Sequence, residues 1–255
     1  MFKQYFEGKR VLVTGVGRGI GRNIAIRLSS YGAHVTGVSK TQEFLASLKS
    51  ECPEIEIIAV DLEDWDATRN ALETLEPFDY LINNAAILTP GLFMDITPTK
   101  FNQIMSVNVA ACINVGQVVA RGMEKANIAG SIVNISSICS SSAYPASSLY
   151  CLSKATLDML TKLMAVELGP KKIRVNSVNP VGIYTDMLEK FYESLAKEEG
   201  VEVAEYLEKL HARVPLKSFE MEMNDIVNAV LFMLSPSSPH IHGEMLFVDG
   251  GIRHT

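Results

Sequence analysis

The sequence predicts a doubly wound α/β domain, one parallel sheet of about seven strands with helices on both faces. Three observations carry this. Short apolar runs recur along the chain, as expected of strands buried on both faces. Stretches of helical periodicity separate them, so strand and helix alternate at least six times. The first apolar run, Val11–Thr14, passes through Gly15-Val16-Gly17-Arg18-Gly19-Ile20-Gly21 directly into a helix that runs to Tyr31.

Taken in order, Gly32-Ala33 ends that helix and His34–Val38 is the second strand. Glu56–Val60 is the third, followed by Asp61-Leu62 and a helix through Leu75. Asp79-Tyr80-Leu81-Ile82-Asn83-Asn84-Ala85-Ala86 reads as a fourth strand running into a polar, small turn. Thr97 opens a long helical region to Lys125, with Pro98 suited to its first turn. Ser131–Ser136 reads as a fifth strand, Ser148–Leu168 as a helix and Arg174–Val178 as a sixth strand ended by Asn179-Pro180. The acidic stretch 185–213, broken at Gly200, reads as two short helices outside the core, a substrate lid. Asp225–Leu234 is a helix and Met245–Val248 the last strand, ended by Asp249-Gly250-Gly251. With no linker, repeat or low-complexity tract, residues 1–255 form a single domain.

Composition excludes several classes. The chain is 47% apolar and 20% charged with a net charge of −6, which offers no electrostatic footprint for nucleic acid. No apolar run is expected to reach the roughly 18 residues of a membrane span, and the opening residues are not expected to be a signal peptide. Cys52, Cys112, Cys139 and Cys151 lack the spacing of a disulfide framework, so reduced thiols and a cytoplasmic location are expected. His240-x-His242 has no evident third ligand, so no metal is expected.

The chemistry gathers in Ser137–Lys154. Tyr150 and Lys154 are four apart and share a helix face. An ammonium beside a phenol favours the phenolate, so the Tyr150 pKa is expected to fall from its usual value of about 10. Such a tyrosine passes a proton to and from a substrate oxygen, which the Ser137 hydroxyl also holds. Asn108, an amide in an apolar helix, is either a satisfied core residue or part of a proton relay.

The loop from Gly15 through Arg18, Gly19 and Gly21 opens a helix whose backbone N–H groups suit a phosphate. No acid stands at the end of the second strand to take a ribose 2′-hydroxyl. Ser39, Lys40 and Thr41 stand there instead, and Arg18 reaches the same region. Two cations suit a 2′-phosphate; the other reading is solvated surface charge. Asp61 either touches adenine or caps the following helix. Thr14, Asn83, Ser137 and Pro180 all follow strand ends, so the candidate chemistry converges on one crevice.

Together Thr14-Gly15-x-x-x-Gly19-x-Gly21, Asn83-Asn84-Ala85, Asn108, Ser137, Tyr150-x-x-x-Lys154, Asn179-Pro180 and Asp249-Gly250-Gly251 resemble the short-chain dehydrogenase/reductase family. Ala86 and Val181 depart from it, each standing where the family often has Gly. The resemblance implies a Rossmann-type fold with Tyr150 as acid/base and Lys154 lowering its pKa and binding the nicotinamide ribose. It implies that Ser137 positions the carbonyl and that Asn108 anchors a relay water. It extends the cofactor set to Ile20, Leu62, Asn84, Ala85, Ile183 and Thr185.

Within the family the chain is most similar to the dicarbonyl/L-xylulose reductase branch, through Glu51-Cys52-Pro53, Asp61–Trp65, Asp158–Lys162 and Glu167–Pro170. That branch implies NADP(H), tetramers, and reduction of a vicinal dicarbonyl or ketose such as L-xylulose. The alternatives are a 3-oxoacyl-thioester or steroid reductase, and, from another class, a non-catalytic NADP-binding sensor or scaffold. Residues Ile138–Leu149 and the 185–213 lid depart from the branch.

Overall fold

In the computed structural model, which describes residues 2–182, 186–216 and 221–255, each apolar run expected to be a strand forms one. In chain order these are β1 (Arg10–Thr14), β2 (His34–Ser39), β3 (Glu56–Ala59), β4 (Tyr80–Asn83), β5 (Ser131–Ile135), β6 (Arg174–Pro180) and β7 (Met245–Val248). They pair in parallel in the order β3-β2-β1-β4-β5-β6-β7. The chain builds outward from β1 to β3, then returns to β4 beside β1 and builds the other way. This reversal opens a crevice at the strand ends, flanked by Thr14 and Asn83.

The helices are α1 (Lys3–Phe6), α2 (Gly19–Ser30), α3 (Gln42–Glu51), α4 (Trp65–Leu72), α5 (Pro98–Met105), α6 (Ala111–Lys125), α7 (Ser148–Leu168), α8 (Asp186–Glu199), α9 (Val203–Ala212) and α10 (Met223–Leu234). Sequence reading missed α1 and α3. The first is a single turn that exists to seat Phe6, fully buried and edge-on to Tyr80 at 5.4 Å. The second turns only Leu45 and Leu48 inward, too few for a clear period.

On one face of the sheet α2 and α10 bury Ile24, Leu28, Val230 and Leu231 against β1. On the other, α4 and α6 bury Leu72, Val115 and Met123 against Leu12, Leu81 and Ile132. Each such side chain contributes about 1.5–3 kcal/mol relative to exposure. The Arg174 guanidinium of β6 donates to Met233 O and Leu234 O, both at 2.8 Å, and so ties β6 to the last turn of α10.

The region from Pro98 to Lys125 is, among the described residues, long and apolar enough to cross a membrane by length and composition. The sequence expectation of no such run is corrected here; Asn108, Asn114 and Gln117 interrupt the apolar pattern. Of its apolar 18-residue window, 61% is buried within the protein. Packing on the sheet accounts for its apolarity.

The stretch expected as two helices forms α8 and α9, with Gly200 at φ +69° between them, a conformation that favours glycine. Phe191, Tyr192 and Leu195 of α8 and Ala146 make a small separate core, against which Tyr206, Leu207 and Leu210 of α9 pack.

Candidate active site

The loop after β1 is stitched to the loop after β4. Thr14 Oγ1 accepts the Asn84 and Ala85 N–H groups at 2.9 and 3.1 Å, and Asn84 Nδ2 donates to Thr14 O and Gly15 O at 2.9 and 3.1 Å. Gly15 has φ +73°, and a Cβ there would lie 2.8 Å from both Ala85 Cα and Asn84 Nδ2. Only glycine permits this approach. Side chains cap α4 and α5: Asp64 Oδ1 accepts the Ala67 N–H at 2.9 Å, and Thr97 Oγ1 accepts the Lys100 N–H at 3.3 Å. No side chain caps α2, whose first turn, with Gly19 and Ile20, lines a cavity. Its N–H groups are therefore available to an anion.

This cavity, about 540 Å³, runs from the glycine loop past β5 to the lid helices. Ser39, Lys40, Thr41, Asp61 and Leu62 line its outer end, with Arg18. Lys40 Nζ lies 3.4 Å from Asp61 Oδ2, and the Arg18 guanidinium stands 5.6 Å from the Phe44 ring centroid. The cations are where the sequence reading put them, but each is already engaged. Asp61 does not cap α4. Its Oδ1 accepts the Glu63 N–H at 3.1 Å, and Asp64 is the cap.

Deeper in, Ser137 follows β5 with an extended backbone, and its Oγ accepts the Cys139 N–H at 3.2 Å. Ser137 and Tyr150 both line the cavity here. Lys154 is 2% exposed, and its Nζ donates to Ile135 O at 2.8 Å. Tyr150 and Lys154 share a face of α7 as expected, with Nζ 5.5 Å from the Tyr150 ring centroid.

The expected fall in the Tyr150 pKa does not occur in the protein without cofactor. Burial pushes the phenol up from 10.0, the Cys139 thiol nearby adds to this, and the Ser137 side chain opposes it. Burial pushes Lys154 the other way, to about 8. Removal from water is the largest cause for both groups, because desolvation penalises the charged form of each.

Asn108 lies in a π turn, Ser106–Ala110, that joins α5 to α6. It is fully buried. Its Oδ1 accepts the Ile87 N–H at 2.8 Å, and its Nδ2 donates to Ile87 O and to Ser153 Oγ at 2.9 and 3.0 Å. Ser153 Oγ in turn donates to Tyr150 O at 2.8 Å. Of the two readings, the side chain fits a satisfied core amide. It brackets the 87 loop to the turn of α7 that carries Tyr150, while its neighbour Val107 lines the cavity.

Sequence reading named the lid but none of its residues. Leu188, Phe191, Tyr192 and Leu195 of α8 and Tyr206 and Leu210 of α9 line the cavity, with Tyr144 and Leu88. The signal was present, since 188, 191, 192 and 195 recur at helical spacing. Also missed was the meeting of Cys139 and Cys151. Each thiol shifts the other, lowering Cys151 and raising Cys139. His242 bridges β6 and α7, its Nδ1 accepting the Val175 N–H at 3.1 Å and its Nε2 standing 2.8 Å from Ala165 O.

A family model described as enoyl-(acyl carrier protein) reductase matches residues 15–253. An L-xylulose reductase from Mesocricetus auratus is 46% identical over 244 residues, 96% of each chain. Carbonyl reductase (NADPH) 2 from Sus scrofa is 44% identical over 246 residues, 96% of this chain and 97% of its own. A gluconate 5-dehydrogenase from Burkholderia cenocepacia, solved with NADP and tartrate, superposes with a TM-score of 0.88 at 27% identity over 100% of both chains. The chain belongs to the short-chain dehydrogenase/reductase family.

As a member of this family it is an oxidoreductase acting on carbonyl and hydroxyl groups with a nicotinamide cofactor. The residues present fit that group. The uncapped first turn of α2 suits the pyrophosphate, and Ser137, Tyr150 and Lys154 stand further along the same cavity. Ile183 and Thr185, also expected to hold the cofactor, lie outside the described residues.

Proposed function

We propose that the chain reduces a small carbonyl compound, a vicinal dicarbonyl or a ketose, to the alcohol with NADPH, and that Tyr150 donates the proton. The observation carrying this is the convergence of Ser137, Tyr150 and Lys154 on one wall of a cavity that also reaches the glycine loop. The bound cofactor supplies hydride to the carbonyl carbon. Ser137 Oγ and the Tyr150 hydroxyl then hold the carbonyl oxygen, and Tyr150 gives its proton as charge builds there. A raised pKa suits an acid, because the phenol keeps its proton at neutral pH until the alkoxide forms. Lys154 supplies positive charge beside the phenolate and would hold the nicotinamide ribose of a bound cofactor. Asn108 contributes by bracketing Ile87 and Ser153, and the relay water implied by the resemblance would rest on its main chain.

NADPH is favoured over NADH by the absence of an acid at the end of β2 and by the presence of Lys40 and Arg18. Asp61 and Leu62 border the adenine end. The names of the porcine carbonyl reductase and of the Burkholderia structure point the same way. A tetramer is supported by α7, which leaves Leu152, Met159, Leu163 and Val166 exposed along one side. The α8–α9 lid covers the substrate. The setting is the cytoplasm, where four free thiols persist.

The test is NADPH oxidation with diacetyl, L-xylulose, an acetoacetyl thioester and a steroid. Turnover of the first two supports the reading. Activity confined to the others moves the chain to a different reductase class, and cofactor binding with no turnover makes it the sensor.

A further inference from the structure

The substrate half of the cavity differs in kind from the half beside the glycine loop. Among the described residues, the charged groups lining the cavity are Arg18, Lys40 and Asp61 at the outer end, and Lys154. The lid contributes Leu188, Phe191, Leu195, Tyr206 and Leu210. Within this apolar wall stands Tyr192. It is 5% exposed, and no described residue hydrogen-bonds its hydroxyl. The hydroxyl points at the end of β6, 2.5 Å from where a Cβ on Gly182 would lie. Phe191 and Tyr206 flank its ring, with centroids 6.0 and 6.1 Å away.

The ring is buried while the hydroxyl lines the cavity with no partner among the described residues, so it is open to a hydrogen bond from a ligand. Its surroundings limit what that can be. A polyhydroxylated ketose brings a hydroxyl on nearly every carbon and would lose its water against leucine and phenylalanine. An apolar chain gains there, by roughly threefold to fourfold in affinity for each methylene buried.

We propose that Tyr192 determines specificity, and that the substrate is a carbonyl compound with an apolar body and a second oxygen. The reacting carbonyl lies at Ser137 and Tyr150, the second oxygen hydrogen-bonds the Tyr192 hydroxyl, and alkyl or aryl carbon fills the α8–α9 wall. This rests on the proposed reductase function and narrows it away from the ketoses. Tyr192 is assigned to substrate binding and takes no part in the proton transfer.

The experiment measures kcat/KM with NADPH for 2,3-butanedione, 2,3-hexanedione, 2,3-octanedione, 2-octanone, L-erythrulose and L-xylulose. Wild type and Tyr192→Phe are compared, with circular dichroism and melting curves showing that both fold. In wild type, kcat/KM is expected to rise at least tenfold from butanedione to octanedione, with both ketoses below butanedione. In Tyr192→Phe the ratio of octanedione to octanone should fall about tenfold, through KM. That ratio cancels intrinsic reactivity, and a merely structural role for the ring would not move it. A ketose that matches or exceeds octanedione overturns the inference but leaves the reductase reading standing, as does an unchanged ratio in the variant. Failure to reduce any compound in the panel removes both.

Discussion

The Lys154 ammonium stands 5.5 Å from the centre of the Tyr150 ring, and Lys154 is held there by the Ile135 carbonyl rather than by the phenol. Both ride on α7, and β5 fixes the lysine head through that carbonyl. Each is shifted toward its neutral form in the protein without cofactor.

Tyr150→Phe keeps the ring and removes the proton. Turnover should fall by about 10²–10⁴-fold, while NADPH affinity, read by fluorescence titration, stays within a few-fold. Reduction at the wild-type rate would remove Tyr150 from the mechanism.

Lys154 predicts a pH-dependent stability. Its pKa is lowered from 10.5 to about 8, so below pH 8 both folded and unfolded chains carry the charge, and the fold bears its burial. Between pH 8 and 10.5 the folded chain has released the proton and the unfolded chain still holds it, so stability rises with pH. The full change is about 3 kcal/mol. Denaturant titrations of wild type and Lys154→Met at pH 7 and 10.5, without cofactor, should show wild type gaining on the variant by this order. A constant difference would mean that Lys154 titrates normally.

The cofactor preference follows from the outer end of the cavity. NADPH should be preferred by kcat/KM, and Ser39→Asp should reverse the preference by repelling the 2′-phosphate. Arg18→Ala and Lys40→Ala should each lower it, and part of the Lys40 contribution is shared with Asp61. Charge-assisted hydrogen bonds are worth about 1.5–3 kcal/mol, and the exposure of Lys40 puts it at or below the low end. Equal use of both cofactors by wild type would make these residues surface charges.

The exposed stripe Leu152, Met159, Leu163 and Val166 predicts assembly. Sedimentation at micromolar protein should give a tetramer, and Met159→Lys should shift it toward smaller species. A monomeric wild type would refute the interface.

The sequence by itself determined the alternation of strands and helices, the glycine loop, and the residues facing one crevice. These rest on short-range signals: apolar runs, a four-residue spacing on α7, and turns that admit only glycine.

Only the tertiary structure decided what those residues experience. The Tyr150 pKa rises rather than falls because the balance between burial and charge depends on walls drawn from distant segments. Lys40 reaches Asp61 across 21 residues of chain, and Asn108 finds its partners at Ile87 and Ser153. Cys139 meets Cys151, and Tyr192 faces the cavity, because the β5 loop, α7 and the lid fold over one another. Spacing along the chain carries no record of such contacts. They depend on which surfaces pack and on how much water packing removes.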